Sequence, residues 1–230
     1  MSDTMHVVRV FVGADGNGGN ALGVFLDAYD WAADRRQKIA ADLGFSETVF
    51  VERTGSGRLW IHTPTMELPL AGHPLVGASW LLASLDAAVA VLRPPAGAVP
   101  TWVADGRTWI RADPRSAPEF DMRQLASPSD VDAHPGACPD EHLHIWAWQN
   151  EAAGVVRVRV FPTAMGIVED EATGAAALRL GARLGRPLTI HQGKASEILV
   201  MPEEDGTVSI GGRVEPVEQR RYEMAPQGVR

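Results

Sequence analysis

The 230-residue sequence has a single cysteine, no surplus of positive charge and no long apolar run. Each lack excludes something. Cys138, in the loop-like PGACPD, has no second cysteine to pair with, so a reducing cytoplasm is the expected compartment. No activating neighbour of its thiol is legible, so it is not read as a nucleophile. A net charge of −8 argues against general nucleic-acid binding, which needs basic patches to neutralise phosphates. It argues equally against an anionic membrane surface. No stretch approaches the ~20 apolar residues of a membrane span. The opening MSDTMHVVRVFV has an early Asp, no basic region and none of the long apolar core of a signal peptide. What is present is core material: 45% hydrophobic residues suffice for one larger domain or two small ones.

Along the chain, β-branched runs alternate with turn chemistry. VVRVFV (7–12) and ALGVFLDA (21–28) read as strands around the Gly/Asn/Asp turn GADGNGGN. WAADRRQKIAADLG (31–44) reads as a helix stopped by Gly44. FSETVFVE (45–52) alternates like a strand with Phe45, Glu47, Val49 and Val51 on one face, and GRLWIHT is its expected hairpin partner. HPLVGASWLLASL (73–85) reads as a helix with Pro74 in its first turn. Short strands are expected over 87–93, 98–104 and 107–112. The Pro/Asp/Ser-rich stretch 113–141 follows as a linker with room for one short helix. HLHIWAW and VVRVRVF pair as strands, AALRLGARLG (176–185) is a helix, and strands through VEPVEQRRYEM close the chain. Strand runs between separated helices predict an α+β fold.

Two segments resemble each other about a hundred residues apart: RLWIHTPTMELPLAGHPLVGASWLLASL and RVRVFPTAMGIVEDEATGAAALRLGARL. Each is a strand ending near Pro, a loop, an ionisable residue, and a Gly entering a helix. In this alignment Gly77 answers Gly174 and His73 answers Asp170. It predicts two related halves, 1–113 and 114–230, with the final strand free to return to the first. Two helix N-termini facing one cleft would suit a small anionic ligand such as a carboxylate.

GGNALGVFLDA, GFSETVFV, HTPTMELPLAGHPLVGA, EDEATGAAALRL and HQG, in this order over residues 19–193, resemble the motif series of the PhzF-like phenazine-biosynthesis isomerase family. The resemblance implies the diaminopimelate epimerase-like fold, two similar domains each with a sheet wrapped around a central helix, and the active site between them. It also implies a homodimer and a reaction needing no metal and no organic cofactor. It marks Glu47, of Ser46-Glu47-Thr48, as the proton-transferring base, with His73 and Asp170 as polar catalytic partners. Asn20, Ser46, Gly72, Gly174 and Ala175 match pocket-lining positions. Two positions depart from the pattern: Ala175 stands where the family often has Ser, and Lys194 follows Gln192-Gly193 where a Gly-Arg is usual.

The residues suit that chemistry. Moving a hydrogen between carbons needs a base that holds a proton and returns it, and a desolvated carboxylate does this near neutral pH. Taken one at a time the same residues read blandly: Glu47 as an edge-strand acid, His73 as a loop histidine, Asp170 as a helix-start acid. Glu169 and Glu171 keep that helix-start reading. His142 and His144 share a strand face without a third ligand at metal spacing. GNGGNA lacks the helix that a dinucleotide site needs. Two further readings stay open: an epimerase or racemase of an amino or hydroxy acid, and a non-catalytic small-anion binder.

Overall fold

The computed structural model describes residues 4–223. The chain begins with β1 (Thr4–Val12) and β2 (Gly18–Phe25), joined by the Gly-rich turn, then α1 (Ala33–Leu43), ended by Gly44 in the left-handed conformation. β3 (Thr48–Val51), β4 (Leu59–His62) and β5 (Glu67–Leu68) lead into α2 (Gly72–Ser84). β6 (Val91–Leu92), β7 (Val99–Ala104) and β8 (Arg107–Ala112) follow. The stretch expected to be a linker forms β9 (Asp121–Gln124) and α3 (Pro128–Ala133), whose Ser127 side chain caps it by accepting from the Asp130 amide. Next come β10 (His142–Asn150), β11 (Val155–Pro162), α4 (Gly174–Leu184), β12 (Leu188–Gln192), β13 (Ser196–Pro202) and β14 (Val208–Arg221). Met224, the end of the expected closing strand, lies outside the described residues.

The strands form one 14-stranded mixed sheet in the order β5-β4-β3-β2-β1-β14-β13-β12-β11-β10-β9, with β6, β7 and β8 joined beside β14. With its helices this is the predicted α+β class. The long β14 is the seam. Its outer part pairs with β1, and Val208–Gly212 pairs with β8 as Val208–Gly211 pairs with β13.

α2 is buried nearly all round, which is the signature of a helix enclosed by other elements. Its Gly77 brings it against β1 and β2: a Cβ there would lie 2.5 Å from Leu22 and 2.8 Å from Val10. α4 buries Gly174 to Leu178, Leu180 and Gly181 against β13 and β14. One large apolar cluster runs from Val8, Leu22 and Leu75 through Ile110 to Leu178, Ile198 and Ile210, so the core is continuous across the seam. A second cluster, Met5, Phe25, Trp31, Ile39 and Phe50, lies under α1.

Three local expectations are corrected. β3 begins at Thr48, so Glu47 sits just before the strand, after a bend at Ser46. Phe45 packs with the α1 cluster while Val49 and Val51 pack on the other, so these residues do not share a face. Only Val91 and Leu92 of 87–93 are strand; the run leaves the turn at Asp86 with the Ala87 amide still bonded to Leu82 O (2.9 Å).

Candidate active site

α2 and α4 meet at their N-termini. A Cβ on Gly72 would lie 2.7 Å from the Gly174 Cα, and one on Gly174 would lie 2.7 Å from the Gly72 Cα. Only glycine at both positions permits this approach. It also corrects the internal alignment. The residues that answer each other in space are Gly72 and Gly174, the first of each helix, not Gly77 and Gly174. His73 lies inside the first turn of α2, whereas Asp170 lies four residues before α4, bridged to β11 through Asp170 N–H to Val160 O (3.0 Å). Neither helix receives a side-chain cap. Thr173 occupies the N-cap position of α4, a place where threonine ordinarily caps, yet its hydroxyl turns to Asp170 instead.

The structure gathers the predicted residues around this junction. Glu47, His73 and Asp170 are 8%, 2% and 5% exposed, so all three are desolvated. His73 Nδ1 lies 3.6 Å from Glu47 Oε2, just beyond hydrogen-bond reach. Asn20, on β2, donates from Nδ2 to Asp170 Oδ1 (2.6 Å), and Ser46 Oγ donates to Asn20 Oδ1 (3.3 Å). Gly72, Gly174 and Ala175 are buried in the two helix first turns. Glu47 Oε2 and His73 Nε2 are both buried with no hydrogen-bond partner among the described residues. Orphaned polar atoms on two neighbouring side chains are costly in a folded chain and are the pattern of groups that act on a ligand.

Electrostatics separates the roles. Burial pushes the Glu47 carboxyl well above the usual carboxylate range, and the charge of Asp170 adds to that rise. Burial raises Asp170 too, but hydrogen bonds from Thr173 and Asn20 oppose the rise. Burial lowers the His73 imidazole to about 3, so at neutral pH it is an uncharged ring. The site therefore offers a protonated carboxyl, a neutral imidazole and a carboxylate within one dry junction. A surface cleft of about 460 Å³ adjoins it at Gln192 and Ser196, lined also by Arg157, His191 and Lys194, but Glu47, His73 and Asp170 do not open onto it.

Two residues of the network carried no role in the sequence reading. Gln192, 1% exposed, bonds three times to the Asp170–Thr173 segment. Thr173 holds Asp170 Oδ2 (2.6 Å). Both lie inside quoted motifs, HQG and EDEATG, so the motif series itself was their signal. The two flanking acids are corrected. Glu171 accepts from Lys194 N–H (2.9 Å) and Ser196 Oγ (2.9 Å), pinning the β12–β13 turn. Glu169 forms a two-pronged pair with Arg159 (2.8 Å each). Neither lies in the first turn of α4.

A family model described as phenazine biosynthesis-like protein, PhzC-PhzF, matches residues 8–137. Trans-2,3-dihydro-3-hydroxyanthranilate isomerase of Pseudomonas aeruginosa is 31% identical over 224 residues, covering 79% of this chain and 80% of the relative. In three dimensions the chain resembles a Bacillus anthracis phenazine biosynthesis protein of the PhzF family, with TM-score 0.70, 19% identity and coverage of 94% and 97%. It also resembles a hydroxyproline epimerase from Agrobacterium vitis, with TM-score 0.59, 12% identity and coverage of 96% and 93%. The last two likenesses concern the fold, which is the epimerase-like one that the motif series implied.

Proposed function

This chain belongs to the phenazine biosynthesis-like PhzC-PhzF family, and from that premise we propose that it is an isomerase that moves a proton between carbons of a small carboxylate-bearing metabolite. The observation that carries this reading is Glu47: a buried, proton-holding carboxyl whose Oε2 has no hydrogen-bond partner among the described residues and faces a neutral His73. Glu47 in its ionised form takes the proton from the acidic carbon, and in its protonated form delivers it to the second carbon. Because burial brings its proton affinity toward neutral pH, it does both without a large cost in either direction.

The other groups serve charge. As the proton leaves, negative charge spreads over the substrate. The first-turn amides of α2 and α4, uncapped and abutting, supply N–H groups and the positive ends of two helix dipoles for the substrate carboxylate. Neutral His73 donates a hydrogen bond to the developing charge. Asp170, held as an acceptor, takes a hydrogen bond from a substrate hydroxyl or amine. Ala175 narrows the polar character of the pocket where a serine would add a hydroxyl. The reaction is proposed to need no cofactor, and a second copy of the chain is the proposed partner, in the cytoplasm. Among the described residues no helix is long and apolar enough to cross a membrane.

The test uses trans-2,3-dihydro-3-hydroxyanthranilate and related dihydroaromatic acids in deuterated water. The unsubstituted chain is expected to place solvent deuterium on the substrate carbon, and Glu47→Gln to lose that activity at least about a hundredfold, the usual contribution of a general base. Undiminished exchange in Glu47→Gln would remove Glu47 from the mechanism.

A further inference from the structure

Two buried acids share the site, and which one carries the proton decides what the site can do. The hydrogen-bond directions answer this. Thr173 N–H is an obligatory donor, and it meets Gln192 Oε1 at 3.1 Å. Asp170 O is an obligatory acceptor, and it meets Gln192 Nε2 at 2.8 Å. These two backbone groups leave the Gln192 amide only one orientation. Its Nε2 then also donates to Thr173 Oγ1 at 2.8 Å. A hydroxyl has one proton to give, and with an N–H already pointed at its oxygen, Thr173 gives that proton to Asp170 Oδ2 at 2.6 Å. Asp170 Oδ1 meets a second donor, Asn20 Nδ2, whose amide is oriented by Ala172 O (3.4 Å) as well. Both Asp170 oxygens therefore face protons that belong to other groups. A protonated Asp170 would accept both bonds more weakly than the carboxylate does, so both donors favour the charged form. Glu47 Oε2 has no hydrogen-bond partner among the described residues, His73 Nδ1 standing off at 3.6 Å.

We infer that Gln192 is a positioning residue which, by directing the Thr173 hydroxyl onto Asp170, holds Asp170 as the carboxylate and leaves the exchangeable proton on Glu47. The chain runs from β12 through the N-cap of α4 to the loop before it, and every member is buried. It fits the missing cap on α4: a cap would need the Thr173 oxygen as an acceptor, and that oxygen accepts from Gln192 Nε2 instead. It explains also why a glutamine rather than a glutamate suits position 192. A carboxylate there would accept the Thr173 proton and release Asp170 to compete for the one on Glu47. The inference rests on the reading of Glu47 as the proton carrier, and the test separates the two.

The test reads Asp170 alone. In a Glu47→Gln background, the protonated-carboxyl infrared band of the buried site reports Asp170, and its assignment is checked by adding Asp170→Asn. Adding Thr173→Val, which keeps the shape and removes the hydroxyl, is expected to raise the proton affinity of Asp170 about ten- to a hundredfold, the worth of a hydrogen bond to a charged group. Thr173→Ser, which keeps the hydroxyl, is expected to hold the original midpoint. Gln192→Leu is expected to move it in the same direction as Thr173→Val but by less, because the hydroxyl keeps its proton and loses its imposed direction. In the chain with Glu47 intact, Thr173→Val is expected to shift the pH midpoint of deuterium exchange. An Asp170 midpoint unmoved by Gln192→Leu or by Thr173→Val would overturn the inference. If Gln192→Leu does not fold, the unbranched Gln192→Met takes its place, with the same expected shift and the same overturning result. Expected midpoints with no exchange activity in any variant would instead count against the proposed reaction and leave the proton assignment standing.

Discussion

Replacing Glu47 by Gln tests the electrostatics of the site before any substrate is known. Glu47 has an ordinary glutamate value of 4.5 when the chain is unfolded and a well-raised one when folded. Between those two values the folded state holds a proton that the unfolded state releases. Stability of the unsubstituted protein therefore falls as pH rises through that window. One proton is worth about 1.4 kcal/mol per pH unit. The glutamine amide has the same shape as the carboxyl and does not titrate, so Glu47→Gln gains on the unsubstituted protein by about that amount per unit. For a chain of this size each kcal/mol moves Tm by about 2–4 °C, which makes the gain roughly 3–6 °C per pH unit. The assay is thermal unfolding of both proteins, followed by circular dichroism, from pH 5 to pH 8 in matched buffers. The other carboxylates and histidines are common to both, so the difference reports position 47 together with Asp170, whose charge acts on it. A Tm difference that stays flat with pH would refute the reasoning: it would mean that Glu47 is ionised and solvated in solution.

Other consequences follow from the same structure. Gly72→Ala puts a methyl 2.7 Å from the Gly174 backbone, so denaturant unfolding should show a loss of about 1–3 kcal/mol. His144 is 1% exposed, its two ring nitrogens have no partner among the described residues, and burial lowers it to about 3. Below its unfolded value of 6.5 the unfolded state binds a proton that folded His144 refuses, so acid destabilises the fold there. His144→Leu should therefore stabilise, and its gain in Tm should widen as pH drops below 6.5. Glu171→Ala should cost about 1.5–3 kcal/mol, because that carboxylate holds the β12–β13 turn through Lys194 N–H and Ser196 Oγ. Glu169→Ala breaks an ion pair with Arg159 nearer solvent and should cost no more than about 1 kcal/mol by the same denaturant measurement.

Local chemistry was legible where it is local. Gly44 stops α1 as expected, and the HTPTMELPLAGHP and EDEATG segments lead into helices because Gly and Pro punctuate them. The helices begin earlier than their apolar periodicity suggests, at Gly72 and Gly174, because glycine is required there by a contact between two elements about a hundred residues apart. That contact has no trace in either segment alone, which is why the alignment slipped from Gly72 to Gly77. The candidate site was legible through motif order: Glu47, His73, Asp170, Asn20, Ser46, Gly72, Gly174 and Ala175 gather at one junction. The supporting bonds were not. Glu171 looks like a helix-start acid until the β12–β13 turn folds onto it. Gln192 looks like a turn residue until its amide meets the Asp170–Thr173 backbone. Within 113–141 the polar composition left room for the short helix that α3 turns out to be but hid β9, and both gain their order by packing on β10 and β11.

The central claim is that a buried carboxyl at position 47 handles a proton on substrate carbon. The most direct measurement is a crystal structure with a bound dihydroaromatic or related small carboxylate ligand. The account predicts the ligand carboxylate on the first-turn amides of α2 and α4, and its acidic carbon about 3–3.5 Å from Glu47 Oε2. A ligand held by the helix N-termini with Glu47 turned away from every acidic carbon would contradict it, and would favour a binding protein over an isomerase.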